Sequence, residues 1–113
     1  MEATDVFSAF CAIDIRVGTI LAAELFPQAR KPAYKLTVDF GAEIGIKRSS
    51  AQITALYAID ELVGTRVLAV VNLPFKSIAG FTSEALVLGV PDAQGNVVLV
   101  RPDLDVPNGG RLY

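Results

Sequence analysis

The sequence predicts an all-β fold: a small, closed, five-stranded Greek-key barrel with a short N-terminal helix and a small helical insertion after strand three. Three observations carry this. Short apolar stretches recur at period two, separated by turn residues. The first of them holds an internal glycine, Gly18, as strands do where a coiled sheet bends or bulges. The third is followed by "AQITALYAIDELVG", which lacks the alternation and suits helical turns.

Each element follows from its residues. Thr4 is placed to cap a helix over 5–11, with Asp5 in the first turn and Val6, Phe7 and Phe10 crowding one side. A helix this short must dock on its own barrel or on another chain. In "DIRVGTILAAELF", Ile15, Val17, Leu21, Ala23 and Leu25 share one face, with Arg16, Gly18 and Glu24 opposite. "PQARKP" is a turn. "YKLTVDFG" puts Tyr34, Leu36, Val38 and Phe40 on one face and Lys35, Thr37 and Asp39 on the other. "EIGIKR" is the third strand. "AQITALY" and "IDELVG" are helical turns, with Ser50 or Thr54 as caps and Gly64 as the stop. "TRVLAVVNL" and "SEALVLGV" are strands four and five; "PDAQGN" turns, "VVLV" is one more short strand, and "VPNGGRLY" closes the chain. A helix between strands three and four is the OB-fold arrangement, which fits best; a β-sandwich is the alternative that alternation leaves open.

With 113 residues the chain has the size of one domain, 1–113, divided into an N-terminal helix at 1–11 and a barrel with its closing segment at 12–113. Such a length buries roughly two-thirds of the unfolded surface, so neither metal nor disulfide is required. The acidic start, "MEATDVFSAF", argues against a signal peptide, and no apolar run is long enough to cross a bilayer. The lone cysteine, Cys11, fits a cytoplasmic home and reads as a small core residue. With no histidine, the commonest general base and metal ligand are missing. Asp39 with Glu43, and Asp60 with Glu61, are the closest carboxylate pairs, and solvated carboxylates are their default reading. No catalytic residue, cofactor or metal is expected. The net charge of −2 requires any nucleic-acid site to be local, made by clustering some of the ten cations.

Five stretches together carry a resemblance: "DIRVGTI", "ARKPAYKLTVDFG", "IKRSSAQIT", "VVNLPFKSIAGFTSEALVLG" and "VPNGG". In this order, across about residues 12–113, the chain resembles the tRNA-binding-domain family of OB-folds, found as free-standing dimers and appended to methionyl- and phenylalanyl-tRNA synthetases. "RKPAYKL" and "SSAQIT" favour the protein-export chaperone branch of that family. The resemblance implies a homodimer without enzymatic activity. It would bind unfolded or precursor polypeptides and assist their export, with export machinery as a possible partner. The alternative it implies is a structure-specific tRNA-binding protein.

Three groups of residues are candidates for binding. Arg30, Lys31, Lys35, Lys47 and Arg48 gather around strands two and three, where OB-folds commonly bind oligonucleotides, and Ser49 and Ser50 are placed to donate to phosphate. The plainer reading is a solvated strand end, with Asp39 and Glu43 neutralising two cations. Ser83 and Glu84, which the resemblance places on the ligand side of the barrel, are placed to hydrogen-bond a base or a peptide backbone; otherwise Glu84 pairs with a cation and Ser83 supports a turn. Leu73, Phe75, Ile78 and Phe81 form an apolar loop that either packs under the barrel or faces a partner. The aromatics do not alternate with cations along the chain. Val6, Phe7 and Phe10, flanked by this loop, are expected at the dimer interface.

Overall fold

A computed structural model describes residues 5–113. Helix α1 (Val6–Ala12) leads into β1 (Ile15–Leu25), β2 (Tyr34–Asp39), a helical turn α2 (Gly41–Ile44) and β3 (Ile46–Ala51). After α3 (Ile59–Leu62) come β4 (Arg66–Val70), a hairpin of β5 (Lys76–Ile78) and β6 (Phe81–Ser83), then β7 (Leu86–Val87), β8 (Gly89–Pro91) and β9 (Val97–Leu99). One five-stranded antiparallel sheet runs β3-β2-β1-β4-β7. Its two ends meet: the Glu84 amide donates to the Arg48 carbonyl at 2.7 Å, and Ser49 Oγ donates to the Ala85 carbonyl at 2.8 Å. The result is the nearly closed OB-type barrel that the strand pattern predicts.

The core follows the alternation. Leu36, Val38 and Phe40 from β2 and its end pack with Ile20, Val67 and Leu62, and α3 contributes the last of these. On β1 the pattern breaks. Ile20 pairs with Val38 and Ala22 with Thr37, so Leu21 is the extra residue of a bulge. The bulge shifts the phase: Ile20 faces the core before it and Ala23 after it, and Leu21, expected on the core face, is exposed; Leu25 pairs with Tyr34 on that face but lies at the strand end and is exposed. Gly18 is not the bulge. A Cβ there would lie 2.6 Å from Val38 Cγ1 and 2.7 Å from the Phe40 ring, so glycine is what lets Phe40 pack against β1.

Several boundaries also move. β3 starts at Ile46 because Gly41–Ile44 forms a helical turn, and it runs through Ala51, so "KRSS" lies inside the strand rather than at its end. "AQITALY" is not helical; neither Ser50 nor Thr54 is a cap. Only Ile59–Leu62 is helix, with Ala58 at the N-cap; its amide donates to Glu61 Oε1 at 2.8 Å. Gly64 follows with φ +89°, the left-handed stop that the sequence predicts. The fifth strand is split, because the Leu88 amide donates to Leu68 while its carbonyl accepts from Val100: the chain leaves β4 and joins β9 there. The segment expected to be a loop at 73–81 contains the β5–β6 hairpin, closed by Ala79 and Gly80 at φ +48° and +83°.

At the N-terminal end Asp5 occupies the N-cap position without a side-chain cap bond, and Thr4 lies outside the described residues. No residue of α1 is buried, and Cys11 is exposed rather than in the core. The far end of α1 is nevertheless held. Arg111 Nη2 donates to the Cys11 carbonyl at 2.8 Å and Asn72 Nδ2 to the Ala12 carbonyl at 2.9 Å, satisfying carbonyls the helix leaves unpaired. Arg16, at the centre of this network, donates from Nε to Asp14 at 2.6 Å. That hydrogen bond raises the Arg16 pKa above its ordinary value, against desolvation by burial and with help from Glu43.

Candidate functional site

Lys47 and Arg48 are consecutive on β3, and consecutive strand residues point to opposite faces. The structure separates them accordingly. Arg48 pairs with Thr37 and Ser50 with Lys35 across β2–β3, which puts Arg48 and Lys35 on one face as diagonal neighbours. The Arg48 guanidinium lies 4.4 Å from the Phe81 ring centroid; Lys35 Nζ lies 5.6 Å from Phe81 and 5.0 Å from Phe26. Phe26 and Phe81 meet edge-on, centroids 5.3 Å apart at 60°. Two cations therefore share a small aromatic cluster. Lys47, on the other face, lies 5.8 Å from the ring of Phe75.

Lys35, Arg48 and Phe81 line a groove of about 480 Å³, with Gln28, Thr82 and Glu84 around them. Among the described residues neither of its cations forms an ion pair, although Glu84 stands in the same lining. Among the described residues the ion pairs are Arg16–Asp14, Arg16–Glu43, Arg66–Asp105 and Arg111–Asp14. The expected neutralisation by Asp39 and Glu43 does not occur: Asp39 accepts from the Gly41 amide, and Glu43 is taken by Arg16.

The hydroxyls and Glu84 do different work from that expected. Ser49 is fully buried and its Oγ is occupied by Ala85, so it cannot donate to a phosphate. Ser83 Oγ accepts from the Ser50 amide at 3.1 Å, and Glu84 Oε1 accepts from the Arg48 amide at 2.9 Å. These bonds splice β3 to the segment after β6 and fix Arg48 from behind. Ser50 is half-buried on the Lys35 face. Arg30 and Lys31 are exposed in the β1–β2 turn; Arg30 borders a separate, mainly apolar pocket of about 430 Å³ with Leu25, Pro27 and Tyr34. The five clustered cations thus resolve into Lys35 with Arg48, Lys47 apart, and Arg30 and Lys31 further round the turn.

The apolar segment splits in the same way. Phe81 is 5% exposed, packed with Phe26 and Ala33, and Ile78 is half-buried against them. Leu73 and Phe75 remain outside, Phe75 at 60% exposure. The expected four-residue patch contracts to these two. Phe26, Gln28 and Thr82 were not legible as site residues; the one signal for Phe26 is an aromatic at the end of β1, beside the turn that brings Lys35 back. On α1, Val6 and Phe7 are 70% and 75% exposed and Phe10 is half-buried, so the helix offers an uncovered apolar side. Among the described residues no cluster of three or more acidic, cysteine or histidine side chains fits a metal, and no helix is long and apolar enough to cross a membrane.

A nearly closed barrel of this strand order, with a helix between strands three and four, defines the OB class of domains. The tRNA binding domain family matches residues 15–111, and the chain belongs to that family. It is 38% identical over 106 residues to a methionine–tRNA ligase of Flavobacterium johnsoniae, covering 94% of this chain and 14% of that protein. It is 39% identical over 103 residues to that of Methanothrix thermoacetophila, covering 91% of this chain and 15% of that protein. The chain therefore spans only a small part of those ligases. Among solved structures, the chaperone CsaA from Bacillus anthracis is 51% identical with a TM-score of 0.87, covering 95% of this chain and 96% of that one. The CsaA chaperone protein from Picrophilus torridus is 48% identical with a TM-score of 0.90, covering 96% and 98%. A MetRS related protein from Pyrococcus horikoshii is 30% identical with a TM-score of 0.84, covering 100% of both chains, so the whole-length likeness at higher identity is to the CsaA chaperones.

Proposed function

We propose that this chain is a CsaA-like chaperone that binds unfolded or precursor polypeptides in the cytoplasm and assists their export, without catalysing a reaction. The observation that carries this is the 48–51% identity to CsaA chaperones over nearly the full chain. Leu73 and Phe75, exposed two residues apart in the chain and bordering the half-buried Ile78 segment, offer an apolar surface to a client. Leu73 and Phe75, aided by the partly covered Ile78, form the polypeptide contact. The chain acts as one domain, helix α1 followed by the barrel, and two copies associate through Val6, Phe7 and Phe10.

A second reading is structure-specific tRNA binding. It is favoured by Lys35 and Arg48, which are held on aromatic rings and lack carboxylate partners among the described residues. In it Lys35, Arg48 and Lys47 contact phosphates, Arg30 and Lys31 extend the contact, and Ser50 adds a hydroxyl. Side-by-side binding of bulk tRNA and an unfolded polypeptide across a salt series tests both. Polypeptide binding through apolar contacts persists at high salt, where phosphate contacts are lost. Polypeptide affinity that collapses with salt as steeply as tRNA affinity overturns the chaperone reading.

A further inference from the structure

We propose that phosphate polyanions regulate the chaperone surface by competition at one position: a phosphate held on Lys47 and an apolar client seated on Phe75 weaken each other's binding. The inference rests on the polypeptide-binding reading above. Lys47 Nζ lies 5.8 Å from the Phe75 centroid, and the ring is 60% exposed. Leu73 beside it in the chain is also exposed. Lys47 has no ion-pair partner among the described residues. Its ammonium is therefore available to an anion, and it stands beside the exposed ring surface an apolar side chain would cover.

The competition follows from charge and space. A phosphate oxygen on that ammonium stands about 2.7–2.9 Å from it, with its hydration spread over the ring. A client side chain pressed onto Phe75 takes the ammonium out of water without a partner, which is strongly unfavourable. The lysine escapes only by swinging its stem off the ring into solvent, and it then no longer presents the charge at this position. A client on the ring disfavours the Lys47 position beside it, a phosphate on that ammonium favours it, and the coupling is reciprocal. The conflict is confined to this pair. Lys35 and Arg48 sit over Phe26 and Phe81, which are buried and offer a client no ring surface. They remain free to anchor the polyanion while Lys47 and Phe75 decide the competition.

The test uses the full chain and a fluorescent, uncharged peptide rich in Leu and Phe, which tRNA does not attract. Peptide affinity is measured by anisotropy with increasing bulk tRNA, and separately with inorganic polyphosphate. At a competitor concentration ten times its own Kd, the apparent peptide Kd is expected to rise several-fold, short of the roughly elevenfold of complete exclusion because Lys35 and Arg48 still hold the polyanion when Lys47 is given up. In Lys47→Met, peptide binding is retained, tRNA still binds through Lys35 and Arg48, and most of that shift disappears. A peptide bound equally well with saturating tRNA, seen as a ternary complex by sedimentation, overturns the competition and leaves the chaperone reading intact. So does a chain that binds neither polyanion. An undiminished shift in Lys47→Met overturns the assignment to this pair. A peptide that does not bind even without polyanion overturns the polypeptide-binding reading itself, and the competition with it.

Discussion

The guanidinium of Arg48 rests 4.4 Å from the centroid of Phe81, a ring that is itself buried against Phe26. Stacking on an aromatic face restrains a side chain that otherwise carries large rotamer entropy. From the opposite side the Arg48 amide is fixed by Glu84 Oε1 at 2.9 Å. A cation held in this way gives up less freedom when it meets a phosphate than one on an open surface.

This makes Arg48 and Lys35 the residues whose loss tRNA binding should register first. Arg48→Ala and Lys35→Ala are each expected to weaken tRNA binding for all sequences alike, and to flatten the slope of log K against log salt by roughly 0.7–0.9 per phosphate contact removed. Lys47→Ala and Arg48→Ala should be compared separately, since the two side chains serve opposite faces. Titrations at several salt concentrations check this; unchanged slopes in all three variants would assign these cations to solvent.

Phe75 and Phe81, six residues apart, should part company in mutagenesis. Phe81→Ala empties a packed site and is expected to cost about 3–5 kcal/mol of stability. Phe75→Ser removes an exposed ring and should change stability by about 0.5 kcal/mol or less. Urea unfolding measures both. The folded Phe75→Ser variant is then expected to suppress client aggregation less well than the parent while keeping nearly all its tRNA affinity. Full protection by that variant would sink the role of Phe75 in client binding.

Assembly is tested at α1. Val6 and Phe7 are exposed while the helix end is clamped by Arg111 and Asn72, so the apolar side is presented outward in a fixed direction. Sedimentation of the full chain at micromolar concentration is expected to give a dimer. A chain starting at Ala12, or a Val6→Ser/Phe7→Ser double variant, should shift toward monomer. A full chain that sediments as a monomer removes the dimer from the proposal.

The β5–β6 hairpin stores a little strain. Ala79 adopts φ +48°, a conformation that costs an ordinary L-residue roughly 1–2 kcal/mol. Asn tolerates it far better, so Ala79→Asn is expected to stabilise the chain by about 0.5–1 kcal/mol, and Ala79→Val to destabilise it. Thermal melting of the two variants gives the sign directly.

The sequence by itself determined the barrel, its family and the residues of the β2 core face. Period two is a local property, and Tyr34, Leu36, Val38 and Phe40 reveal it without reference to any neighbour. It also marked the cations and the apolar segment as the places to look. What it did not reveal is which of them meet. The bulge turned Leu21 outward and put Ile20 in the core because register depends on the partner strand, and the pairing of β1 with β2 is a long-range choice. Phe26, Lys35, Arg48 and Phe81 are scattered through the chain with no visible alternation, yet folding stacks them in one cluster. Lys47 and Arg48 are adjacent in sequence and were set on different faces by the geometry of β3. Ser49 was withdrawn from solvent by barrel closure onto Ala85. Local spacing therefore decided the elements, and only the closing of the sheet on itself decided which charges and rings share a surface, because those contacts join residues that nothing in the linear order brings together.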